Sequence, residues 1–410
     1  MATSNDEMNT KLTFRRYKNG DHEWKRLNDQ IFEGDHSHKC PTYVHKTPPC
    51  QGSCPSGEDI RGWLSIVRGT EKPVKGMSWQ EYAFRRSTDA NPFPSMMGRV
   101  CPAPCQDGCN RNEVEDFVGI NAVEQFIGDN AVRQNYKFTP PATEIDKRVA
   151  IIGGGPAGMA AAYQLRRRGY ACVIFDEHEY LGGMMRYGIP GYRTPRDVLD
   201  AEIQRILDLG RIGLRMNTRV GRDVTLAQIE QEFDAILWAL GCQIGRALPV
   251  PGGDAPNCVS GVKFLEAFNK GHLKVTAERV VCVGGGDTSI DVVSVARRLG
   301  HIQKINPQER AEHVVHGYLA HDAAYAAARE GAHVTLTSLF AKEKMTAAQH
   351  EVQDALREGV TIHDGVMPTE VIKNAEGRAT ALRLVACKVV NGRPVVEAGA
   401  EPFDVECDLI

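Results

Sequence analysis

Residues 148–177 read RVAIIGGGPAGMAAAYQLRRRGYACVIFDE, and this stretch decides the fold. An apolar run from Arg148 to Ile152 leads into a glycine-rich turn. A helix-patterned segment follows, and then a second apolar run that ends at Asp176. That order is the opening of a βαβ unit. Gly153, Gly155 and Gly158 hold the spacing of a dinucleotide fingerprint, with Pro156 and Ala157 at the expected helix start. The first glycine permits the turn, the second admits a pyrophosphate close to the backbone, and the third lets the helix pack on the strand. Free N–H groups and a partial positive charge at the helix start then favour phosphate. A carboxylate about twenty residues on holds a ribose hydroxyl in such folds. Asp176 stands there, with Glu177 as the alternative.

A second unit of the same kind starts at residues 279–300, RVVCVGGGDTSIDVVSVARRLG. Gly284 and Gly286 keep the spacing, Ser289 replaces the third glycine, and Asp287 and Thr288 open the helix. Between the two units the pattern predicts a helix from about Pro195 to Gly210 and a strand near Leu214 to Asn217. It also predicts a buried parallel strand from Phe233 that ends in the Gly241 turn. The strand His333–Ser338 continues the second unit, after residues 301–330, which are more than a compact βαβ unit needs.

Upstream of the first unit the chain is polar and Pro-rich, with helix-like pieces at 57–64 and 121–132 and no alternating strands. Consecutive prolines at 140 and 141 mark a linker. The expected organisation is α/β: a helical cysteine-rich domain over 1–145, a first nucleotide-binding domain over 146–275 and a second over 276–400. At 410 residues the chain has room for about three domains. A net charge of -3 gives no bias toward polyanions, so nucleic acid is not an expected partner. No stretch reaches the roughly 20 apolar residues of a membrane span, and a cytoplasmic location is expected.

Of the 12 cysteines, Cys40, Cys50, Cys54, Cys101, Cys105 and Cys109 crowd into one region of a long chain. In a reducing compartment that pattern points to metal rather than to disulfides. Iron-sulfur cores are held by thiolates, usually four. Zinc is the main alternative, but its sites commonly pair C-x2-C knuckles, and the chain has none. The same absence argues against a redox-active dithiol.

Leu181-Gly182-Gly183-Met184-Met185-Arg186-Tyr187-Gly188-Ile189-Pro190 follows the first unit. With GRVCPAPC, VAIIGGGPAG, the Ala239-Leu240-Gly241 turn and GGGDTSID in the same order, the chain resembles the glutamate synthase small subunit and its relatives. The resemblance implies FAD in the first Rossmann-like fold, with Asp176 on the adenosine ribose and Gly182, Gly183, Val220, Leu240 and Gly241 lining the site. It implies a nicotinamide nucleotide in the second fold, near Asp287 and Thr288. Two 4Fe-4S clusters are implied in the N-terminal domain. Cys54, Cys101, Cys105 and Glu124 would hold one; Cys50, Cys109 and Cys40 would hold the other, whose fourth ligand is unassigned, with His38 and His45 as candidates.

Relatives that use NADPH carry paired arginines after the strand that ends at Ser338, where this chain has Leu339 and Phe340. The expectation is therefore NADH over NADPH, although Lys342 and Lys344 stand close by. Residues 403–410 read as a strand that stops near its beginning. In the family this strand returns to the flavin domain, so 401–410 are expected to continue that domain in truncated form.

The resulting expectation is an oxidoreductase that moves electrons between a nicotinamide nucleotide, FAD, iron-sulfur clusters and a protein partner. Residues 38–64, HKCPTYVHKTPPCQGSCPSGEDIRGWL, and the 301–330 insertion are most similar to the flavoprotein serving dissimilatory sulfite reductase, which makes that reductase the expected partner. The alternatives are an electron-input subunit of a glutamate synthase-like enzyme and a non-catalytic electron-transfer subunit. A homodimer is compatible with either.

Overall fold

The computed structural model describes residues 47–114, 118–273, 277–299 and 332–410. His38, Cys40, His45 and the 301–330 insertion lie outside the described residues. The chain divides into two compact units, Met1–Tyr136 and Lys137–Ile410.

This boundary falls earlier than residue 145 because the expected linker is strapped to the second unit. Phe138 packs on Tyr163 with ring centroids 4.5 Å apart. Lys137 Nζ lies 2.6 Å from Asp208 Oδ2. Glu144 receives both terminal nitrogens of the buried Arg166, at 3.0 and 2.8 Å.

The first unit is helical among its described residues: α1 (Pro49–Ser53), α2 (Ile60–Val67), α3 (Trp79–Ser87), α4 (Pro94–Val100), α5 (Pro104–Asp107) and α6 (Ile120–Arg133). Prolines open α1, α4 and α5, where a missing N–H leaves no bond unmade. Asp59 and Ser78 cap α2 and α3 by accepting from Gly62 and Glu81 N–H. Trp63, Phe84, Met96 and Ile127 form the core. Two glycines let α4 and α6 touch backbone to backbone: a Cβ on Gly98 would lie 2.4 Å from Gln125 N, and one on Gly128 2.1 Å from Ser95 N.

The second unit begins with a parallel sheet of β1 (Arg148–Ile152), β2 (Ala171–Phe175), β3 (Ile212–Arg215) and β4 (Ala235–Trp238), in the order β3-β2-β1-β4. Around it run α7 (Pro156–Arg167), α8 (Met184–Tyr187), α9 (Arg196–Leu207), α10 (Leu226–Glu232) and α11 (Gly261–Asn269). The apolar run at 233–241 does form a strand parallel to β1, but not a buried one. With β1 as its one described neighbour, β4 is an edge, and Trp238 is 53% exposed.

A second parallel sheet, β5 (Arg279–Val283), β6 (His333–Ser338) and β7 (Thr361–Asp364), is ordered β5-β6-β7 and packs against α12 (Asp287–Leu299) and α13 (Gln349–Arg357). Its core includes Val280, Val293, Leu336 and Val352, with Phe264, Leu265 and Phe268 contributed by α11.

An antiparallel sheet that the strand pattern did not announce completes the unit: β8 (Val366–Lys373), β9 (Ala379–Val390), β10 (Arg393–Val396) and β11 (Phe403–Glu406). This corrects the placement of residues 401–410. β11 pairs with β9, and Leu409 bridges Val280 of β5. Arg279 binds Asp408 at 2.9 Å, so the segment is held by the second nucleotide fold. No helix among the described residues is long and apolar enough to cross a membrane.

Candidate functional site

In the first nucleotide fold, Gly153 to Gly158 join β1 to α7. Gly153 has φ +113°, and a Cβ there would lie 2.2 Å from Ala239 O. The turn after β4 therefore abuts the loop, which places Leu240 and Gly241 beside it. Gly158 is the tightest point, since an added Cβ would lie 1.9 Å from Gly153 O. Gly155 and Gly183 face each other: a Cβ on Gly183 would come 2.6 Å from Gly155 Cα. Gly182 N–H donates to Gly154 O at 2.9 Å. Bare backbone thus lines both sides of the loop, and a ligand that needs close approach to the main chain fits there.

Asp176 follows β2 and turns toward this loop. Its Oδ2 accepts from Gly154 N–H at 2.6 Å and its Oδ1 from His178 N–H at 2.8 Å. Burial raises its pKa, but the bond to the His178 side chain, with those from His178 N–H and Gly154 N–H, outweighs burial and holds the carboxyl below its ordinary value. Glu177 points elsewhere and pairs with Arg219 at 3.3 Å. Val220 is half-buried against the cluster of Phe175 and Phe233.

The second loop is built alike but not identically. Gly284 has φ +143°, and a Cβ there would meet Ser289 Oγ at 2.5 Å. Gly286 is open, its nearest neighbour being Thr346 Oγ1 at 3.4 Å from an added Cβ. Asp287 and Thr288 are exposed. Asp287 Oδ1 accepts from Ala348 N–H at 3.0 Å, while Thr346 Oγ1 and Ala347 N–H both donate to Gly285 O. The 346–348 segment had no signal in the sequence, because it acts through its backbone and a single hydroxyl. Leu339 and Phe340 do follow β6, and Phe340 is 39% exposed.

In the first unit, Cys50 lies in α1, Cys54 ends it, Cys101 ends α4, Cys105 lies in α5, and Cys109 follows α5. The close contact of α4 with α6 sets Cys101 beside Glu124. Asn91 Nδ2 donates to Glu124 Oε1 at 2.7 Å, and Asn121 Nδ2 to Cys101 O at 2.8 Å.

The thiols respond to one another in two groups. Burial pushes Cys105 up to about 12, assisted by the charges of Cys101, Cys54 and Glu124. Burial raises Cys101 too, against a bond from Ala103 N–H, with Glu124 and Cys54 again adding to the rise. Cys50 is raised by burial and by Cys109. Cys54, Cys101, Cys105 and Glu124 thus act on one another, and so do Cys50 and Cys109. Half-buried thiolates and a carboxylate that repel one another are the donor set that a cationic metal core neutralises. Among the described residues, no three or more His, Cys, Asp or Glu side chains converge as a single metal ion would require.

Sequence reading missed Glu58. It is 6% exposed, and burial raises its carboxyl, against hydrogen bonds that include one to Glu124. Its Oε2 has no hydrogen-bond partner. A glutamate next to a helix cap ordinarily reads as a partner of the helix dipole, and nothing in its spacing announces burial.

A helical unit lined with thiols, followed by two dinucleotide folds, defines the class of iron-sulfur flavoproteins. Residues 147–401 match the family of pyridine nucleotide-disulphide oxidoreductases, and residues 25–136 match dihydropyrimidine dehydrogenase domain II, 4Fe-4S cluster. The β subunit of the NADPH-Fe(3+) oxidoreductase of Geobacter sulfurreducens is 32% identical over a 392-residue alignment that covers 90% of this chain and 52% of that protein. The small chain of NADPH glutamate synthase from Mycobacterium tuberculosis is 30% identical over 384 residues, 88% of this chain and 71% of that one. Mycobacterium tuberculosis FprA in complex with NADPH superposes with a TM-score of 0.52 at 15% identity, over 64% of this chain and 69% of that structure; the fold is what they share. The chain belongs to the FAD- and 4Fe-4S-containing oxidoreductase family of the glutamate synthase small chain. It spans about half the length of the Geobacter relative.

Proposed function

We propose that the protein is an NAD(P)H-dependent oxidoreductase subunit that exchanges electrons with a protein partner. The observation that carries the proposal is the coexistence, in one chain, of the Asp176-braced Gly153–Gly158 loop and the group of Cys54, Cys101, Cys105 and Glu124, whose charges act on one another. When bound, the cofactors supply the interconversion of a two-electron hydride donor and one-electron carriers. The chain's own residues bind and orient. Gly155 and Gly183 would admit the FAD pyrophosphate, and Asp176 would take the adenosine ribose. Gly284, Gly286 and the start of α12 would take the nicotinamide nucleotide. Cys54, Cys101, Cys105 and Glu124 would hold one cluster, and Cys50 and Cys109 would contribute to another with Cys40. No side chain need serve as an acid or a base.

On the nicotinamide nucleotide two observations pull apart. No arginine follows β6, which favours NADH, yet both relatives named above carry NADPH in their names. The expected preference for NADH therefore lacks support, and the proposal is limited to a nicotinamide nucleotide. For the partner, residues 38–64 and the insertion favour dissimilatory sulfite reductase, on resemblance alone. Recovery of a glutamine-dependent synthase subunit with the tagged protein, and no sulfite reductase, would sink that choice.

The test of the whole is the visible spectrum and metal content of anaerobically purified protein, followed by titration with NADH and then NADPH. Flavin bands, about eight irons per chain for two 4Fe-4S clusters, and bleaching by a nicotinamide nucleotide are expected. Zinc without iron or flavin would overturn the proposal.

A further inference from the structure

Nothing in the fingerprint explains why His178, two residues beyond the candidate ribose acid, sits between two carboxylates. Its Nδ1 is 3.1 Å from Asp176 Oδ1, and its Nε2 is 3.3 Å from Glu266 Oε1. Its ring stacks on Tyr187 with centroids 4.3 Å apart and planes 25° apart. Lys270, the C-cap of α11, lies 2.5 Å from Glu266 and over the Tyr187 ring at 5.2 Å. The imidazole is therefore faced by Asp176 from the end of β2, by Glu266 and Lys270 from α11, and by Tyr187 from α8. Its side chain is only 14% exposed.

We infer that His178 is a positioning residue for the flavin: clamped by Glu266, it fixes the Asp176 carboxylate that the first nucleotide fold offers to the adenosine ribose. The inference rests on the assignment of Asp176 to that ribose. A neutral imidazole has one N–H, whereas carboxylates stand at both of its nitrogens, so only the imidazolium satisfies both. The bonds to Asp176 accordingly raise the His178 pKa, against burial and the charge of Lys270. The imidazolium also neutralises carboxylate charge that would otherwise repel a pyrophosphate lying on the adjacent loop. As pH rises through the folded-state pKa of His178, its nitrogen facing Glu266 becomes a lone pair. The clamp then loosens, a positive charge is lost, and FAD affinity should fall. Because α11 also contributes Phe264, Leu265 and Phe268 to the core of the second fold, the clamp ties the ribose acid of one fold to the framework of the other.

The test is the FAD dissociation constant of the flavin-stripped full chain, read by quenching of flavin fluorescence from pH 6 to 9. Wild type should bind more weakly as pH rises. His178→Phe keeps the stack on Tyr187 but loses both bonds. It should weaken binding roughly tenfold at neutral pH, as expected for a hydrogen bond to a charged group, and flatten the profile. Glu266→Gln, at a half-exposed position, should retain the fold and move the fall in affinity to lower pH, a shift that a purely structural role would not produce. Asp176→Asn separates the two ideas. If it leaves affinity unchanged, the ribose assignment fails. If it weakens binding while His178→Phe and Glu266→Gln match wild type at every pH, the inference alone fails. A wild type that binds no FAD at any pH would remove both.

Discussion

The two nucleotide folds are built on the same loop and dressed with different charges. In the first, the middle glycine, Gly154, faces Asp176: an added Cβ would lie 3.2 Å from its Oδ2. In the second, Gly285 stands in the same relation to Ser338, 2.7 Å from its Oγ. Where one strand ends in an acid, the other ends in a hydroxyl. The helices differ in the opposite sense. α7 carries no acidic residue, whereas α12 carries Asp287 and Asp291. Glycines thus set the loop geometry in both folds, while the polar residues around them select what each loop binds and what each helix must be paired with.

The largest test of this division is at the third loop position. Gly158→Val forces a side chain against Gly153 O, and overpacking of that severity should cost about 3 kcal/mol or more. Purified protein should show a lowered melting temperature and little or no flavin absorbance. In the second loop the equivalent residue is already Ser289, and Ser289→Ala should change stability by about 0.5 kcal/mol or less. Equal tolerance at both sites would break the comparison.

The next effect concerns the acids of α12. Arg193, in the loop after α8, binds Asp291 Oδ1 at 2.7 Å and also bonds Glu351. Asp291 is 5% exposed, and burial outweighs Arg193 to push its carboxyl up to about 6. A carboxyl whose folded pKa lies above its unfolded value stabilises the fold fully below the unfolded pKa and loses that contribution as pH rises through the folded one. Wild-type stability should therefore carry a component that falls between about pH 4 and pH 6, on the order of 3 kcal/mol. Asp291→Asn should remove it, so melting curves of the two proteins should converge at low pH, with the variant no less stable at pH 7. A variant that melts lower at pH 7 would mean that the ion pair with Arg193, rather than burial, dominates.

The features legible in the sequence were those written in backbone requirements. Gly153, Gly158 and Gly284 stand where a Cβ would clash, and with Gly155 and Gly286 at the fingerprint spacing they announced two βαβ units, and β6 was read at the bounds it has, His333–Ser338. The cysteine spacing likewise announced a metal domain. What stayed hidden depends on tertiary neighbours. β4 looked like a buried strand because its side chains are apolar, and periodicity cannot report whether a second neighbour lies beyond it. Glu58 and His178 carried no signal in the sequence. Their partners, Glu124 and Glu266, lie far away along the chain. The antiparallel sheet was legible in part and was not read: Asn391-Gly392, both at positive φ, is the turn that joins β9 to β10, and Gly377 closes the turn before β9.

The smallest expected effect bears most directly on the comparison, since it asks whether the second fold can be given the residue of the first. Ser338 is 2% exposed, and its Oγ accepts from Phe340 N–H at 3.1 Å. Ser338→Asp would place a carboxylate where Asp176 stands in the first fold, with Gly285 N–H as the counterpart of Gly154 N–H. One carboxylate oxygen can accept from that backbone while the other accepts from a ribose 2′-hydroxyl, which NADH has and NADPH replaces with a phosphate. The KM for NADPH should rise about tenfold, the effect of losing roughly 1.4 kcal/mol of binding, while that for NADH stays level or falls. Lys342→Ala, which removes a half-buried cation just beyond β6, should weaken NADPH in the same direction and leave NADH unaffected. A Ser338→Asp protein that folds and treats both nucleotides as wild type does would show that the second fold does not hold its ribose at the end of β6. The likeness of the two loops would then stop at the pyrophosphate.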